Sequence, residues 1–478
     1  MDVPSYEFLA FVGIIALVIN ISKSPQWRRA IFLIANLTFI ASFTRDPAQL
    51  APFAALLAFG YATVKMMERL KWRALFVAFI TTAVIVFCWL KRYAFIPHAL
   101  FLPEPYFVVG MSYVFFRILH LIIDAYQDAL PDRVGLLSYV NYTLNFTALV
   151  SGPIQFYRDY LRTESKEPLP LEASAIGYAC QRIIIGLLKV TIVSPLLFFA
   201  HQRCVALLAG TLPAVERLTD AALILAIFPV YIYFNFSGYM DVVIGCARFL
   251  RLELPENFNR PFLSEGFIEF WGRWHMTLSN WIKTYVYSPL LLNLMRRFSS
   301  RRAEAWLSVF AYFVAFFLIG VWHGQTSMFI FLGILFGLGV SVNKLYQLAM
   351  MRQMGRPRYR ALCANPLYSS LSRGLTFAWF AFSSLWFWAN WSQLAGWGST
   401  LGVGGVALAF LMVLIAAAVL LSALAQIDQQ LKSVSIGERW FATLGYLRTA
   451  WYTALAVITV SVAVLLNAPA PHIIYKGF

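Results

Sequence analysis

Two histidines lie where ionisable side chains are rare. His323 falls within Trp322-His323-Gly324-Gln325, between two hydrophobic runs that are each long enough to cross a membrane. His275 lies 48 residues upstream, in a segment rich in Trp, Tyr and Arg. Ionisable residues at membrane depth are costly and tend to mark sites of chemistry or transport. Proton transfer is therefore the first chemistry to consider for this pair.

Each histidine also has a structural interpretation. Burial favours the neutral form of an imidazole, and a neutral imidazole can accept a proton from a hydroxyl, so we predict that His323 is a general base. The alternative is a buried histidine that bonds to a backbone carbonyl and holds its turn. His275 is a candidate for orienting a carbonyl or stabilising an oxyanion, or for holding structure through Ser279 and Asn280.

No metal site is expected. The sequence contains no HExxH segment and no cluster of carboxylates beside either histidine. Its five cysteines are scattered without CxxC spacing, which favours small core residues over a metal site or a disulfide framework.

The composition is that of a membrane protein. Hydrophobic residues make up 60% of the 478-residue chain and charged residues only 13%, against about 25% charged in soluble domains. The net charge of +16 does not indicate nucleic-acid binding, because the excess lies in short basic loops that flank apolar runs. That placement follows the positive-inside rule for cytoplasmic loops. The first apolar run lacks a cleavable signal pattern, and we expect it to be a retained span.

The apolar runs predict the fold class. We expect an all-α integral membrane protein, a polytopic helical bundle of roughly 11–13 spans with interfacial or re-entrant helices around a central passage. The expected spans centre near residues 7–21, 29–43, 50–65, 74–90, 106–123, 136–153, 180–200, 221–240, 306–322, 327–345, 375–390, 404–424 and 446–466. We divide the chain into N-terminal transmembrane helices (1–105), a core with both histidines (106–345), and C-terminal transmembrane helices with a tail (346–478).

The region 251–302 differs from the other segments. It is too polar for an ordinary span and too aromatic for a free loop, and Trp and Tyr mixed with Arg and Lys favour the membrane interface. We expect short interfacial or re-entrant helices there. The following run to His323 and back to Lys344 predicts a hairpin with His323 deep in the membrane, and Gly333 and Gly337 have the GxxxG spacing of tightly packed helices.

Further polar residues are candidates for lining the passage or binding substrate. Asn235 and Asp241, with Ser237 and Tyr239 between them, follow an apolar run; the alternative for this group is a helix cap. Arg273 is a candidate for binding a phosphate, although Arg in such a stretch often only snorkels to the interface. Trp322 is expected to pack around His323.

Five blocks in chain order resemble the membrane-bound O-acyltransferase family, in its bacterial branch of alginate O-acetylation and teichoic-acid D-alanylation proteins. The blocks are Val150-Ser151-Gly152-Pro153-Ile154, Phe234-Asn235-Phe236-Ser237-Gly238-Tyr239-Met240-Asp241, Leu254-Pro255-Glu256-Asn257-Phe258-Asn259, Phe270-Trp271-Gly272-Arg273-Trp274-His275-Met276-Thr277-Leu278-Ser279 and Gly320-Val321-Trp322-His323-Gly324. The last two resemble the blocks that carry the family's two histidines. The chain departs from the family pattern at Asn235, Gly272 and Thr284, and after Gly324.

The resemblance implies an activity and a set of partners. It implies an O-acyltransferase of a bacterial inner membrane, with His323 and His275 catalytic and no bound cofactor. The donor would be a cytoplasmic acyl thioester, such as acetyl-CoA or an acyl carrier protein. The acyl group, with acetyl as the first expectation, would pass toward a hydroxyl of an exported polysaccharide or to a periplasmic acyltransferase partner. Membrane lipid surrounds such a protein.

The C-terminal hexapeptide is similar to an aromatic F-x-Y-x-x-F pattern found in related systems. It ends in Phe478, and Ile473 replaces the leading Phe. The resemblance implies that Tyr475 takes the acyl group transiently.

Two other functions stay open on the sequence. D-alanyl transfer from a carrier protein is the alternative within the same class. A transporter or flippase with proton-relay histidines is the alternative from another class, although the internal repeats common in transporters are absent from this sequence.

Overall fold

The computed structural model describes residues 1, 3–102, 106–166, 168–208, 210, 213–298, 300–433 and 438–466. These residues form nineteen α-helices with short 3₁₀ and π turns, and the only strand-like pairing within them is one isolated bridge between Phe258 and Trp274. The all-α expectation is therefore confirmed.

The helices have the following bounds. The first ten are α1 (Tyr6–Ile19), α2 (Pro25–Ala41), α3 (Ala51–Arg69), α4 (Arg73–Leu90), α5 (Met111–Tyr126), α6 (Leu136–Thr143), α7 (Tyr157–Leu161), α8 (Ala173–Leu188), α9 (Ser194–Leu208) and α10 (Ala214–Phe249). The others are α11 (Phe267–Trp271), α12 (Met276–Ile282), α13 (Ser288–Arg297), α14 (Arg301–Trp322), α15 (Ser327–Cys363), α16 (Pro366–Ser383), α17 (Leu385–Trp388), α18 (Trp391–Ser433) and α19 (Glu438–Leu466).

Seven of these segments are long and apolar enough to cross a membrane. They are Pro47–Arg69, Arg73–Leu90, Ala173–Leu208, Ala214–Phe249, Ala303–Trp322, Ser327–Cys363 and Trp391–Gln430. The first and last expected spans correspond to the shorter apolar helices Tyr6–Ile19 and Leu447–Val462. The chain is thus built for several membrane crossings, as its composition predicts.

One expected span, at 136–153, is wrong as a helix. α6 ends at Thr143, and the chain continues through turns. Arg117, which is fully buried, donates hydrogen bonds to the carbonyls of Tyr142 (3.3 Å), Thr143 (2.9 Å) and Ala148 (2.8 Å). Backbone carbonyls away from water need donors, and this guanidinium supplies them where a helix would otherwise satisfy its own.

The chain divides into two compact units. Unit 1 comprises Met1–Thr191, Asn235–Glu256 and Ile458–Phe478, and unit 2 comprises Ile192–Phe234 and Asn257–Val457. The three-segment division expected from the sequence follows the order of the chain, whereas these two units each combine separate stretches of it. The three-segment division stays a prediction. Both histidines belong to unit 2.

The region 251–302 contains the short helices expected of it. α11, α12 and α13 have five, seven and ten residues. Within unit 2, Phe270 and Trp274 stack at 5.6 Å, and both rings contact Phe380 of α16. These aromatic contacts fix the short helices that carry His275, because helices of this length are not stable alone.

α14 and α15 form the expected hairpin, and glycines set its separation. A Cβ on Gly320 would lie 2.2 Å from the Cα of Gly333, and a Cβ on Gly333 would lie 2.5 Å from the carbonyl oxygen of Phe317. Gly337 likewise faces Phe313. The close packing predicted from the GxxxG spacing is confirmed, and small residues are what allow two backbones to approach in a membrane.

This packing predicts the effect of one added methyl group. Gly320→Ala places that group against backbone, which cannot give way as a side chain can, so we expect destabilisation by about 1–3 kcal/mol. The measurement is the unfolding midpoint of the purified protein in detergent. Gly404→Ala on α18 is the matched control, because a Cβ there meets nothing within 4 Å. Equal midpoints for Gly320→Ala and Gly404→Ala would contradict the close approach.

Candidate active site

His323 directly follows the last residue of α14, and its ring is held by that helix. The side chain is only 2% exposed, and its Nδ1 lies 2.6 Å from the carbonyl oxygen of Ile319, one turn earlier. A carbonyl oxygen can only accept, so Nδ1 carries the proton and donates it. This bond satisfies one of the last carbonyls of the helix, which have no partner within it. It also makes Nε2 the nitrogen with the lone pair in the neutral ring.

His275 is held by a different acceptor, and its Nδ1 also carries the proton. Its Nδ1 lies 3.1 Å from Oδ1 of Asn257, which also accepts from the backbone N–H of Thr277 (3.1 Å) and the Thr277 hydroxyl (2.9 Å). A backbone N–H can only donate, so the Asn257 atom is oxygen and His275 Nδ1 is the donor. The lone pair of the neutral His275 ring is therefore also on Nε2.

The backbone around His275 is shaped for this contact. The Asn259 N–H donates to the Arg273 carbonyl and the Met276 N–H donates to the Asn257 carbonyl, both at 2.9 Å, so the two segments run side by side. His275 itself is in the left-handed region with φ 44° and precedes the first residue of α12. Such a conformation costs a non-glycine residue about 1–3 kcal/mol and is typical of functional sites.

Trp322 lies between the two imidazoles. Its ring centroid is 4.8 Å from that of His323 and 6.3 Å from that of His275, both with edge-to-face geometry. Phe387 of α17 covers His323 at 5.2 Å. The expectation that Trp322 packs around His323 is confirmed, and the aromatic rings keep the pair away from water.

Burial also sets the charge of the pair. Both histidines lie outside the candidate membrane spans, His323 in the turn after α14 and His275 before α12. Burial lowers the pKa of His323 to about 4. Burial, followed by the neighbouring His323, lowers the pKa of His275 well below its usual value. Both rings are therefore neutral at neutral pH, which is the state a general base requires.

Arg273 is also in unit 2. Its guanidinium pairs with Glu269 at 2.6 Å and borders a cavity of about 490 Å³, together with the ion pair of Arg260 and Asp428. Neither His275 nor His323 lines this cavity. A role for Arg273 in binding phosphate stays a prediction.

The candidates on α10 belong to unit 1. Asn235 and Ser237 are buried, and Tyr239 accepts a hydrogen bond from the Ser151 N–H at 3.2 Å. Asp241 pairs with Arg182 of α8 at 2.9 Å and with Lys189, the residue after α8, at 2.6 Å. These basic partners were not predicted, since nothing local in the sequence relates them to Asp241. Roles for the four residues in lining a passage or binding substrate stay predictions.

Asn257 is the site residue that sequence reasoning missed. It was part of a recognised block, but no role was predicted for it. Its spacing of 18 residues from His275 gave no signal, because only the antiparallel pairing of the two segments brings the side chains together. Tyr475 lies outside the described residues. Among the described residues, no group of three or more His, Cys, Asp or Glu side chains is arranged to hold a metal.

The fold is that of a multi-pass membrane protein with a buried pair of histidines. Comparison with known proteins identifies its family. The profile described as MBOAT, membrane-bound O-acyltransferase family, matches residues 124–372. This is more than half of the chain, and the chain belongs to that family. It is a multi-pass, all-α integral membrane protein.

Individual relatives cover less of the molecule. Teichoic acid D-alanyltransferase of Bacillus subtilis (strain 168) is 30% identical over 47% of this chain and 56% of its own length. Probable alginate O-acetylase AlgI of Pseudomonas putida is 28% identical over 49% of this chain and 45% of its own length. Probable alginate O-acetylase AlgI of Pseudomonas fluorescens is 27% identical over 67% of this chain and 62% of its own length. The chain thus spans about half the length of the curated relatives it matches.

The hydrogen bonds to Asn257 predict a loss of stability when its oxygen is removed. Asn257→Ala leaves the His275 Nδ1–H and the Thr277 N–H without this acceptor. A buried donor without a partner costs about 1–3 kcal/mol. We expect a lower unfolding midpoint by intrinsic tryptophan fluorescence, with Asn259→Ala, an exposed residue two positions away, unchanged. An unchanged midpoint in Asn257→Ala would show that Oδ1 does not hold these donors.

Proposed function

We propose that this protein is an O-acyltransferase of a bacterial cytoplasmic membrane. It takes an acyl group, with acetyl as the first choice, from a cytoplasmic thioester. It passes that group toward a hydroxyl of an exported cell-envelope polysaccharide or to a periplasmic partner. One observation carries the proposal: both buried imidazoles donate through Nδ1 to a fixed oxygen, so that Nε2 of each neutral ring has the lone pair.

His323 is proposed as the general base. Its Nε2 accepts the proton of the attacking hydroxyl as the new oxygen–carbon bond forms at the thioester carbonyl. When the carbon–sulfur bond breaks, the thiolate leaves and the same proton can pass to it. A neutral ring is required at the start, and burial favours that state.

His275 is proposed as a second acceptor, which receives a hydrogen bond or a proton from the attacking hydroxyl. In its neutral Nδ1–H form it has no proton on Nε2 to donate, so this tautomer fits neither orientation of the acyl carbonyl nor direct oxyanion stabilisation.

The donor and the acceptor are proposals drawn from relatives. One relative is named a D-alanyltransferase of teichoic acid and another an alginate O-acetylase. Membrane vesicles that accept D-alanyl carrier protein but not acetyl-CoA would select D-alanyl transfer. Tyr475 is proposed as the acyl relay, and the final transfer outside is proposed to need a separate protein. Acylated polymer made by this protein alone in vesicles would contradict the need for that partner.

The family match disfavours the transport alternative. A proton relay and a general base both need a ring that can take up a proton, so the neutral state of His323 does not separate the two functions. The profile of membrane-bound O-acyltransferases matches residues 124–372, which favours acyl transfer over proton-coupled transport.

Replacement of His323 tests the proposal in cells. We expect His323→Ala to reduce the acyl content of the envelope polysaccharide by at least 10²-fold, because a positioned general base typically contributes 10²–10⁴-fold. Expression is matched by membrane immunoblot. His98→Ala is the control, since His98 is an exposed histidine in a short 3₁₀ turn. Unchanged acylation in His323→Ala would remove the two-histidine mechanism and favour the transport alternative.

A further inference from the structure

Unit 2 contains a cavity of about 680 Å³ between α15 and α16 that the proposed chemistry does not use. Its apolar wall includes Leu338 and Val342 from α15 and Leu371 and Leu375 from α16, each pair one helical turn apart. These four side chains are 42%, 60%, 46% and 51% exposed. The wall is therefore open to the surroundings, which for a membrane protein means hydrocarbon.

One end of the cavity is polar. Tyr346, Tyr359 and Tyr368 all line it, and the Tyr368 hydroxyl donates to the Tyr346 hydroxyl at 3.2 Å. α15 breaks at Gly355, where φ is 79°, and this left-handed residue turns the last part of the helix so that Tyr359 and Tyr346 meet at one cavity. Hydroxyls at one end and aliphatic side chains along the wall make the cavity amphipathic.

Four arginines lie close in sequence to Tyr359, a residue of the polar end. Arg358 and Arg360 flank Tyr359, and Arg352 and Arg356 precede it; all four are exposed. In the part of the chain that the structure describes, none of the four forms an ion pair. By contrast Glu265, which lines the cavity, pairs with Arg373 at 2.6 Å. The four arginines without an ion pair therefore lie on the chain around Tyr359.

We propose that this cavity binds an anionic phospholipid. The acyl chains lie along the wall of α15 and α16, and the phosphate lies at the tyrosine hydroxyls and at Arg358 and Arg360. Basic pockets between membrane helices on the cytoplasmic side favour anionic headgroups, and the basic loop marks that side. A thioester donor is disfavoured as the occupant, because neither His275 nor His323 lines the cavity.

The headgroup contact is tested with the purified full-length protein in detergent, by titration with fluorescent phosphatidylglycerol and with phosphatidylcholine of the same chains. We expect tighter binding of phosphatidylglycerol. Arg358→Gln/Arg360→Gln should weaken that binding roughly 25-fold, at about fivefold for each basic residue. The control is Arg296→Gln/Arg297→Gln, which removes two exposed arginines from the last turn of α13 outside the cavity.

The apolar contact is tested by filling the wall. Val342→Trp should block binding of phosphatidylglycerol, whereas Leu408→Trp, at a similarly exposed site on α18 outside the cavity, should not. Unfolding midpoints confirm that each variant is folded.

Three outcomes would overturn the proposal. Equal binding of the two lipids with no effect of the arginine variants would indicate nonspecific lipid at the protein surface. Normal binding in Val342→Trp would place the lipid elsewhere. Displacement of phosphatidylglycerol by acetyl-CoA would assign the cavity to the acyl donor. Because the lipid-binding assay involves no acyl transfer, its result does not depend on whether His323 is a catalytic base.

Discussion

The structure depends on a constraint that burial imposes on every polar group, which is that its partner must come from the protein when water is excluded. At His323 the partner is the Ile319 carbonyl, and at His275 it is the Asn257 side chain. Each bond does two things, since it satisfies a buried donor and fixes which ring nitrogen has the lone pair. The structural interpretation of His323 and the proposed catalytic one are therefore compatible, because the bond at the end of the helix also leaves the lone pair on Nε2.

The same constraint explains the elements that position the pair. α14 and α15 approach so closely at Gly320 and Gly333 that the turn between them, and His323 within it, has little freedom. Where the backbone leaves helical geometry after α6, the Arg117 guanidinium replaces the missing donors. Ion pairs of Asp241 with Arg182 and Lys189 follow the same rule, since charged groups within membrane helices are paired with one another.

Many of the helices and the close helix hairpin were predictable from the sequence, because the patterns that indicate them lie within short stretches of the chain. Apolar run length predicted the helices, the glycine spacing predicted the close hairpin, and the aromatic and basic mixture of 251–302 predicted short helices there. Two features of the structure were not predicted, and the reasons differ. The run at 136–153 is apolar enough for a span, but its backbone is satisfied by an arginine from another helix, and composition does not reveal such a partner. The pairing of Asn257 with His275 depends on two segments folding side by side, which residue spacing alone does not indicate.

The central claim is that His323 acts as a base and does not merely end a helix, and His323→Asn separates the two roles. The asparagine amide can donate to the Ile319 carbonyl as Nδ1 does, but it cannot accept a proton as Nε2 does. The measurement is the acyl content of the envelope polysaccharide, together with the unfolding midpoint of the purified variant. The account predicts a midpoint near that of the wild type with acyl groups lost. Wild-type acyl content in His323→Asn would contradict it and leave His323 with a structural role alone.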